Sequence, residues 1–570
     1  MNSIGFKNFR RFASFPSIDL GDVTILVGGN NSGKSTIVKA FLLCVDNLNL
    51  MTMNDRRRNE SSSPFSFSMP VFRFDANAYH DAKVKTFARA IHNKPVEDLD
   101  LSTLEKVNSL PSTMTFSFTL GQFSFTFEVT GNRDENLTTG DVSSITITDN
   151  KAGIRFRASY DKHYMGYEVL NSDGQRQLSL LQNLAFTYRI TSEKLNKAEE
   201  DGDLDAIASL TTQRDKLATQ IAAMTDNESD EIDISPKSIR RIVNQLVHGV
   251  NKSVKASYDM PLGILLDEVY ESVVVNVISN IINFATTKEA QPKLKDGEDP
   301  NEYAVRVQDF MLMESYRDAI KLDFDVINKS KEDLTNLLYS YDVEYIPAHA
   351  AHQETIYKNN ENDYLAKVVH LFYLHRIVRG EEEYEFVKYW MSEFKIGKDF
   401  EVKSWDGEAY RVDIIDEDGT SVPLGDKGMG SIQMMTLLLR LATIMRFRKN
   451  NALPTIVVIE EPEQNLHPAM QSKLADLFMA LKNKCQFIIE THSEYIVRKA
   501  QVLVAEANYV DENDMKENNP FKIYYLPEEG ERYEMEFTTS GRFVNKFDEG
   551  FFDEAGKLNL ITLRKERSAK

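Results

Sequence analysis

The chain has 570 residues, of which 42% are hydrophobic and 27% charged, a composition typical of a soluble protein with room for about three or four domains. Its formal net charge of −20 argues against a surface that coats nucleic acid everywhere, although a local basic groove stays compatible with it. The two cysteines, Cys44 and Cys485, lie far apart beside apolar residues, which predicts buried thiols in a reducing compartment.

The sequence disfavours insertion into a membrane. Residues 1–12 are polar and basic and lack the apolar core of a signal peptide. The most apolar helical stretch, Val269–Ala285, carries Glu271 and several asparagines, which favours a buried helix over a membrane span. We therefore predict a cytoplasmic protein without membrane contact.

A phosphate-binding loop follows the first strands. Residues 1–20 alternate as short strands do, and the apolar strand Val23–Val27 precedes Gly28–Ser35, which fits the pattern G-x-x-x-x-G-K-[ST]. In such a loop backbone N–H groups converge on phosphate oxygens, Lys34 reaches the β- and γ-phosphates and the Ser35 hydroxyl ligates Mg²⁺. The residues predicted to contact the nucleotide are Gly28, Asn30, Asn31, Ser32, Gly33, Lys34, Ser35 and Thr36. The alternative, a glycine-rich turn before an ordinary helix, is disfavoured by the strand–loop–helix context.

The middle of the chain changes from strand to helix periodicity. Alternating apolar and polar residues between 113 and 157, with a turn at Gly121-Gln122, predict an antiparallel sheet. Apolar residues then recur at spacings of three and four over about residues 178–226, which predicts an antiparallel helical hairpin. That hairpin is either a protruding contact arm or a pair of packed core helices, and the pattern leaves both open. More helices are expected within 236–285 and 303–339.

Two apolar strands near the end of the chain are followed by polar residues. Thr455–Ile459 runs into Glu460-Glu461, and a second strand runs into Glu490-Thr491-His492-Ser493. Because ligands of open α/β sheets bind at the carboxyl ends of strands, we assign Glu460 to Mg²⁺ and Glu461 to activation of the attacking water. His492 is placed to contact a γ-phosphate. The alternatives are a solvated strand end for the glutamates and a structural role for the histidine.

A second glycine-containing segment precedes a strongly apolar helix. Gly428, Gly430 and Ser431 lie just before this helix, and glycines with a serine at a helix N-terminus form an anion site. One molecule has no need of two such sites for one triphosphate, whereas a head-to-tail dimer does, because each segment would cap the nucleotide held by the partner. The sequence therefore predicts a homodimer or a higher oligomer.

The order of these motifs resembles that of a known family. The ABC-type ATPases of the overcoming-lysogenization-defect (OLD) and RecF/SMC-like group carry motifs similar to Asn8-Phe9-Arg10, the phosphate loop, Gly428-x-Gly430-Ser431, Glu460-Glu461-Pro462-Glu463, Leu466-His467-Pro468 and Thr491-His492-Ser493. The resemblance implies ATP and Mg²⁺ as cofactors, with Glu460 as the Walker B acid and Glu461 as the catalytic acid. It also makes Ser431 the signature serine, His492 the switch histidine and Gln353 a candidate Q-loop glutamine. Two features depart from the family pattern: Glu460 replaces an aspartate, and the signature reads Gly-Met-Gly-Ser in place of Ser-Gly-Gly-Gln.

The fold that this resemblance implies is of the α/β class. We expect a P-loop ABC-type ATPase head with an appended antiparallel β-sheet and a large inserted helical domain that contains a short coiled-coil hairpin. Residues 1–170 would form the first lobe of the head with the phosphate loop, and residues 171–340 the helical insertion. Residues 341–570 would form the second half of the head, with the signature, the Walker B acid and the switch histidine.

The resemblance also implies a partner. The region after His492 lacks the Glu and Asp-x-Asp pattern of a TOPRIM nuclease domain, and Phe547–Glu554 resembles the closing segment of nuclease-free relatives. The chain in this respect resembles the ATPase subunits (PtuA) of Septu-type antiphage systems, some of which occur beside retrons. The implied partner is a separate HNH-type nuclease, with a retron's reverse transcriptase and msDNA as further candidates. The implied function is an ATP-hydrolysing regulator of that nuclease in antiphage defence; the alternatives are a RecF/SMC-like DNA-repair ATPase that binds DNA directly and a transporter ATPase subunit.

Overall fold

The computed structural model describes residues 2–57, 71–74, 84–92, 113–131, 138–159, 164–170, 176–177, 180–225, 250–251, 329–348 except 331, 335 and 339, 353–358, 363–448, 453–528, 530–548 and 551–568. The helices expected within 236–285 and most of the 303–339 region lie outside these residues. The chain divides into two compact units. One comprises Met1–Ile4, Ile18–Leu42 and Ser340–Lys570, and the other Gly5–Ser17 and Leu43–Tyr339.

Strands and helices are numbered along the described part of the chain. The strands are β1 (Ser3–Phe9), β2 (Phe12–Asp19), β3 (Val23–Gly28), β4 (Val71–Arg73), β5 (Met114–Leu120), β6 (Phe123–Gly131), β7 (Thr139–Asp149), β8 (Ile154–Ser159), β9 (Tyr164–Leu170), β10 (Arg176–Gln177), β11 (Val250–Asn251), β12 (Val343–Ile346), β13 (Tyr357–Lys358), β14 (Asp399–Trp405), β15 (Ala409–Ile415), β16 (Ser421–Pro423), β17 (Thr455–Glu460), β18 (Cys485–Thr491), β19 (Phe521–Leu526) and β20 (Tyr533–Glu534). The helices are α1 (Lys34–Arg57), α2 (Phe87–Ala90), α3 (Leu180–Asp201), α4 (Leu204–Thr225), α5 (Tyr364–Leu374), α6 (Glu382–Glu393), α7 (Met429–Arg448), α8 (Pro468–Leu481), α9 (Glu494–Glu506), α10 (Glu512–Asn518) and α11 (Glu554–Ser568).

A parallel sheet forms the centre of the first unit. Its strands lie in the order β12-β17-β18-β3-β19-β20, and all neighbours are parallel except β20. Every residue of β3 is buried, as expected for the uninterrupted Val/Ile/Leu runs of parallel strands that are covered on both faces. Apolar residues of α5 to α9 pack into the same core. The predicted α/β fold is confirmed.

A small antiparallel sheet lies in the same unit. β14 and β15 form a hairpin, and β13 and β16 pair with β15. The chain reverses between the two strands at Asp406 and Gly407, whose φ angles are +50° and +74°. Positive φ values of this kind are what a tight hairpin turn requires.

The second unit contains the predicted antiparallel sheet. The strands lie in the order β10-β9-β8-β7-β6-β5-β1-β2, with β11 paired to β9 and β4 paired to β7. Along β5 and β6 every second residue is buried, and Phe116 pairs in register with Phe127. Gly121, with a φ of +57°, makes the turn between these strands. Period-two alternation therefore identified this sheet correctly.

The helical hairpin is also observed in the second unit. α3 and α4 are joined by a turn at Gly202, whose φ is +71°. Small and apolar residues, among them Ala185, Ile221 and Ala222, are buried between the two helices. These bounds confirm the predicted hairpin.

Two simpler expectations concern thiols and membranes. Cys44 and Cys485 are both free and buried, as predicted. Among the helices that the structure describes, none has the length and apolar character that a membrane span requires. The apolar stretch Val269–Ala285 lies outside the described residues.

Candidate functional site

The carboxyl ends of three adjacent parallel strands form the centre of the candidate site. β18 lies between β17 and β3, and Glu490 is in register with Glu460 on one side and with Leu26 on the other. Because parallel strands end at the same edge of a sheet, the loop after β3, the Glu460-Glu461 pair and His492 meet there. Motifs that lie far apart in the sequence are thus brought to one sheet edge.

The backbone of the Gly28–Ser35 loop is tightly wound. Asn31 and Gly33 adopt φ angles of +62° and +107°. A Cβ atom at Gly28 would lie 2.3 Å from the carbonyl oxygen of Leu526 and 2.6 Å from the Ser32 hydroxyl oxygen. Only glycine fits at position 28, so the first glycine of the motif is explained by close packing.

Side chains of this loop divide into exposed and buried groups. Asn30 and Asn31 are exposed, whereas Ser32 and Thr36 are buried. The Thr36 N–H donates to the Gly33 carbonyl oxygen at 2.9 Å as α1 begins. The first turn of a helix leaves N–H groups without intrahelical partners, and these N–H groups favour an anion.

Ser32 provides a direct test of whether a phosphate fits this loop. Its hydroxyl oxygen is buried and has no hydrogen-bond partner within the described part of the chain. A buried hydroxyl without a hydrogen-bond partner destabilises the fold, and a phosphate oxygen that accepts a hydrogen bond from it would remove this cost. The loop is therefore suited to a phosphate.

Lys34 is a buried cation at the floor of the loop. The side chain is 3% exposed, and its Nζ donates to the carbonyl oxygens of Gly28 and Gly29, both at 2.9 Å. Burial lowers the pKa of Lys34. The carboxylates of Glu490, Glu461 and Glu463 oppose this effect by raising the pKa. The ammonium group is thus positioned beside the loop carbonyls and faces the acidic side of the site.

Ser35 is joined to a glutamate of the neighbouring strand. Its Oγ donates to Glu490 Oε1 at 2.7 Å, and Glu490 is 4% exposed. Burial raises the pKa of Glu490 to about 7, opposed by the hydrogen bond from Ser35 and reinforced by the carboxylate of Glu460. Oε2 of Glu490 is buried without a hydrogen-bond partner among the described residues.

Glu461 occupies a strained turn beside His492. Its φ is +45°, a conformation that costs a non-glycine residue about 1 kcal/mol and occurs often at functional sites. The turn is held by the Glu461 N–H, which donates to the Glu490 carbonyl oxygen at 2.7 Å, and by Gln464 Nε2, which donates to the Glu461 carboxylate. His492 Nε2 lies 4.0 Å from Glu461 Oε1. Burial lowers the pKa of His492, as does Lys34, while Glu461 opposes both.

Glu463 supports the position of His492. Oε1 of this buried glutamate accepts the backbone N–H of His492 at 2.7 Å, and burial raises the pKa of its carboxyl group. The backbone that carries the histidine is therefore tied to the turn that follows β17.

The first turn of α7 packs against the same turn. It contains Gly430 and Ser431, which the sequence pattern placed just before the helix, and only Gly428 precedes it. Gly428 is exposed with open space around it, whereas a Cβ atom at Gly430 would lie 2.5 Å from the carbonyl oxygen of Asn465. Ser431 is half-buried, and its N–H donates to the Gly428 carbonyl oxygen at 2.9 Å. Within the described residues, no hydrogen bond joins Gly428, Gly430 or Ser431 to the phosphate loop. These residues belong to the same unit as the loop.

Gln433, on the first turn of α7, connects this helix to the turn. Its Nε2 donates to the Glu461 carbonyl oxygen at 3.3 Å, and its Oε1 accepts from Asn465 Nδ2 at 3.3 Å. Gln353, the Q-loop candidate, is exposed just before β13.

Sequence reasoning missed three residues of the site: Glu490, Glu463 and Gln433. A signal for Glu490 was present, because it ends an apolar strand as Glu460 does. Glu463 stands within the motif Glu460-Glu461-Pro462-Glu463, but the motif gives it no role. No comparable signal marks Gln433, because it acts on a backbone atom that only the folded turn brings near.

Solved structures with similarity to the chain include Smc heads. One is the Smc head domain with an extended coiled coil bound to the C-terminal domain of ScpA, from Pyrococcus furiosus, 11% identical over 99% of this chain and 99% of that chain, with a TM-score of 0.29. Another is the Smc head domain with a coiled coil and joint from Pyrococcus yayanosii, 11% identical over 95% and 97% of the two chains, with a TM-score of 0.29. The Smc head bound to the C-winged helix domain of ScpA is 10% identical over 92% and 93%, with a TM-score of 0.27.

Sequence comparison gives a clearer result. No curated protein matches the chain. A model of the AAA ATPase domain family matches residues 1–497. Because that match spans most of the chain, this protein belongs to the AAA ATPase domain family.

Proposed function

We propose that the chain binds ATP and Mg²⁺ at the edge of its parallel sheet and hydrolyses the nucleotide within a head-to-tail dimer. The observation that supports this most is the placement of a buried lysine and the adjacent serine opposite three acidic side chains. Lys34 and Ser35 lie on one side, and Glu490, Glu461 and Glu463 act on Lys34 from the other.

The phosphates would bind to the loop and to Lys34. Backbone N–H groups at the start of α1 and the unpartnered Ser32 hydroxyl supply neutral donors, and Lys34 supplies a positive charge. Asn30 and Asn31 are exposed at the rim of the loop, where a nucleotide can reach them. Gly28 and Gly33 shape the backbone.

The Mg²⁺ would be held by the Ser35 hydroxyl and by the carboxylate of Glu460. Magnesium in nucleotide sites is usually bound by one or two protein ligands together with phosphate oxygens and water. Ser35 and Glu460 lie close enough for that mode, because Ser35 donates to Glu490, which is in register with Glu460 on the neighbouring strand. When bound, the cation neutralises charge on the β- and γ-phosphates.

Hydrolysis would depend on Glu461 and His492. Glu461 is assigned to orient the attacking water and accept its proton, and His492 to contact the γ-phosphate. Their side chains are 4.0 Å apart at the mouth of the site, so both can face one phosphate. The strained φ of Glu461 suits a residue whose orientation is fixed for chemistry.

The dimer would place the second glycine segment on the partner's nucleotide. Gly428 is exposed and Ser431 is half-buried on the first turn of α7, so Gly428 is accessible to a second copy of the chain and Ser431 lies close behind it. Gly430 packs against Asn465 and fixes the segment relative to the catalytic turn of its own chain.

The biological role that we propose is regulation of a separate HNH-type nuclease in antiphage defence. This part rests on the motif resemblance described above. We expect the purified chain to leave DNA intact alone and to support cleavage when the HNH subunit is added. Vigorous cleavage by the chain alone would overturn the regulatory role.

Nucleotide binding and hydrolysis test the core of the proposal. Lys34→Ala should abolish binding of a fluorescent ATP analogue, because it removes the buried cation. Lys367→Ala, at an exposed position on α5, is the matched control and should bind normally. Glu461→Gln should bind ATP and hydrolyse it about a hundredfold more slowly or worse, since general-base catalysis is lost. Normal hydrolysis by Glu461→Gln would show that the assignment of the base is wrong.

A further inference from the structure

Glu490 lies in the middle of the candidate site at the carboxyl ends of β17, β18 and β3. It is the residue before the last on β18, the strand between the phosphate-loop strand and the strand that ends in Glu460. The residue is 4% exposed, so its carboxylate is directed into the protein. Motif reasoning assigned no role to this side chain.

The hydrogen bond with Ser35 has a chemical direction. A serine hydroxyl has one proton and two lone pairs. Ser35 Oγ donates a hydrogen bond to Glu490 Oε1 at 2.7 Å. The lone pairs of Ser35 Oγ are therefore directed away from Glu490 and are available to a cation. Without an acceptor in this place, the hydroxyl could rotate and present its proton to the same position.

The second carboxylate oxygen supports the same interpretation. Oε2 of Glu490 is buried and lacks a hydrogen-bond partner among the residues that the structure describes. Buried carboxylate oxygens without partners are rare, and they indicate an ion or a water molecule that belongs to the site. The Glu490 carboxylate also lies within the electrostatic influence of Lys34, Glu460 and Glu461, which are the residues around the proposed phosphate and cation positions.

We propose that Glu490 is the positioning residue of the magnesium site. It accepts a hydrogen bond from Ser35 Oγ and so directs the lone pairs of that oxygen towards the cation. This inference rests on the proposed ATPase function. It differs from a purely structural role, in which Glu490 would only brace the start of α1 against β18. Residues that orient a metal ligand change metal affinity about 10- to 100-fold when they are replaced.

The test compares two conservative variants. Glu490→Asp keeps the charge but withdraws the acceptor by one methylene from Ser35, whereas Glu490→Gln keeps an acceptor of the same length. Mn²⁺ binding to the ATP complex, followed by electron paramagnetic resonance, should weaken about 10- to 100-fold in Glu490→Asp and less in Glu490→Gln. Binding of a fluorescent ATP analogue in EDTA should stay within about twofold of the unmodified chain in Glu490→Asp, because this variant keeps the charge beside Lys34 and removes no phosphate contact.

A double-mutant cycle with Ser35→Ala identifies the route of the effect. If Glu490 acts through Ser35, the Ser35→Ala, Glu490→Asp double variant binds Mn²⁺ no more weakly than Ser35→Ala. The inference would be overturned if the double variant lost Mn²⁺ affinity by the product of the two single losses. It would also be overturned if Glu490→Asp bound Mn²⁺ as tightly as the unmodified chain. Failure of the unmodified chain to bind ATP under any condition would instead overturn the proposed function.

Discussion

Gln433 and Glu461 are joined by a hydrogen bond from the Gln433 Nε2 to the Glu461 carbonyl oxygen, at 3.3 Å. Gln433 lies near the start of α7, two residues after Ser431, and Glu461 is the proposed general base. The bond therefore connects the segment that would cap a partner's nucleotide with the turn that would act on the chain's own nucleotide. A movement of α7 caused by the partner's nucleotide would therefore change the position of Glu461 at the chain's own nucleotide.

Removal of this connection should slow hydrolysis without weakening ATP binding. One hydrogen bond contributes about 1 kcal/mol, so we expect Gln433→Ala to lower kcat roughly three- to tenfold. KM for ATP should stay constant, because the side-chain hydrogen bonds of Gln433 go to Glu461 and Asn465, outside the phosphate loop. Steady-state ATPase kinetics measure both quantities.

Gln501→Ala is the matched control for Gln433→Ala. Its Nε2 also donates to a backbone carbonyl, that of Gly541 at 3.0 Å, at a distance from the acidic residues. The control should leave kcat unchanged. A higher KM for ATP with an unchanged kcat in Gln433→Ala would contradict the proposed link between α7 and Glu461.

Gly430 and Gly428 offer a test of packing within one motif. A Cβ atom at Gly430 would lie 2.5 Å from the Asn465 carbonyl oxygen, whereas Gly428 has nothing within 4 Å. Overpacking costs typically 1–3 kcal/mol, so Gly430→Ala should lower the free energy of unfolding by about 2 kcal/mol and displace the catalytic turn. Gly428→Ala should unfold like the unmodified chain in urea titrations. Equal stability of the two variants would show that the backbone yields at Gly430.

How far the sequence predicts this site depends on whether a residue's role is local or depends on strand order. The strand–loop–helix pattern around Lys34 is local, so spacing alone placed the loop correctly at the start of α1. The neighbour of Ser35 is a different matter, because it depends on β18 lying between β17 and β3. Two acidic strand ends, Glu460 and Glu490, satisfy the same rule, and spacing cannot say which one faces the hydroxyl.

Turns show the same limit. Glu463 and Gln433 act on the backbone of His492 and of Glu461, and a side chain-to-backbone contact leaves no pattern in residue types. By contrast, the period-two alternation of Phe116, Phe118, Phe125 and Phe127 predicted the antiparallel sheet, because burial of one face dictates that alternation directly.

A buried ion pair ties α7 to the edge of the parallel sheet. Arg440 Nη2 donates to Glu344 Oε2, and Tyr364 donates to the other oxygen of Glu344 at 3.1 Å. Arg440 and Glu344 are 14% and 17% exposed. Loss of one partner leaves the other charge buried, so Arg440→Met should lower the free energy of unfolding by about 3 kcal/mol, measured by urea denaturation.

The control for Arg440→Met is an exposed arginine with a similar contact. Arg379 Nη2 lies 2.8 Å from Asp399 Oδ2, and its side chain is 63% exposed. Asp399 keeps the hydrogen bond from Tyr384 and the nearby Lys388 ammonium when the exposed arginine is lost, so Arg379→Met should be close to neutral. Equal losses in both variants would show that burial of the Arg440 pair is not what stabilises α7.

The last prediction concerns pH and Glu463. Burial raises the pKa of Glu463 in the folded chain, despite the hydrogen bond from the His492 N–H. A carboxyl group whose pKa is higher in the folded than in the unfolded state stabilises the fold at low pH, and this contribution is lost as pH rises through the folded-state value. Glu463→Gln is neutral at every pH and keeps an acceptor for His492, so its stability relative to the unmodified chain should increase as pH rises from about 4, below the ordinary glutamate pKa, through the folded-state value. Urea unfolding at several pH values measures this difference, with Glu408→Gln as an exposed control that removes the same charge. A difference between Glu463→Gln and the unmodified chain that stays constant or shrinks with rising pH would contradict the raised pKa.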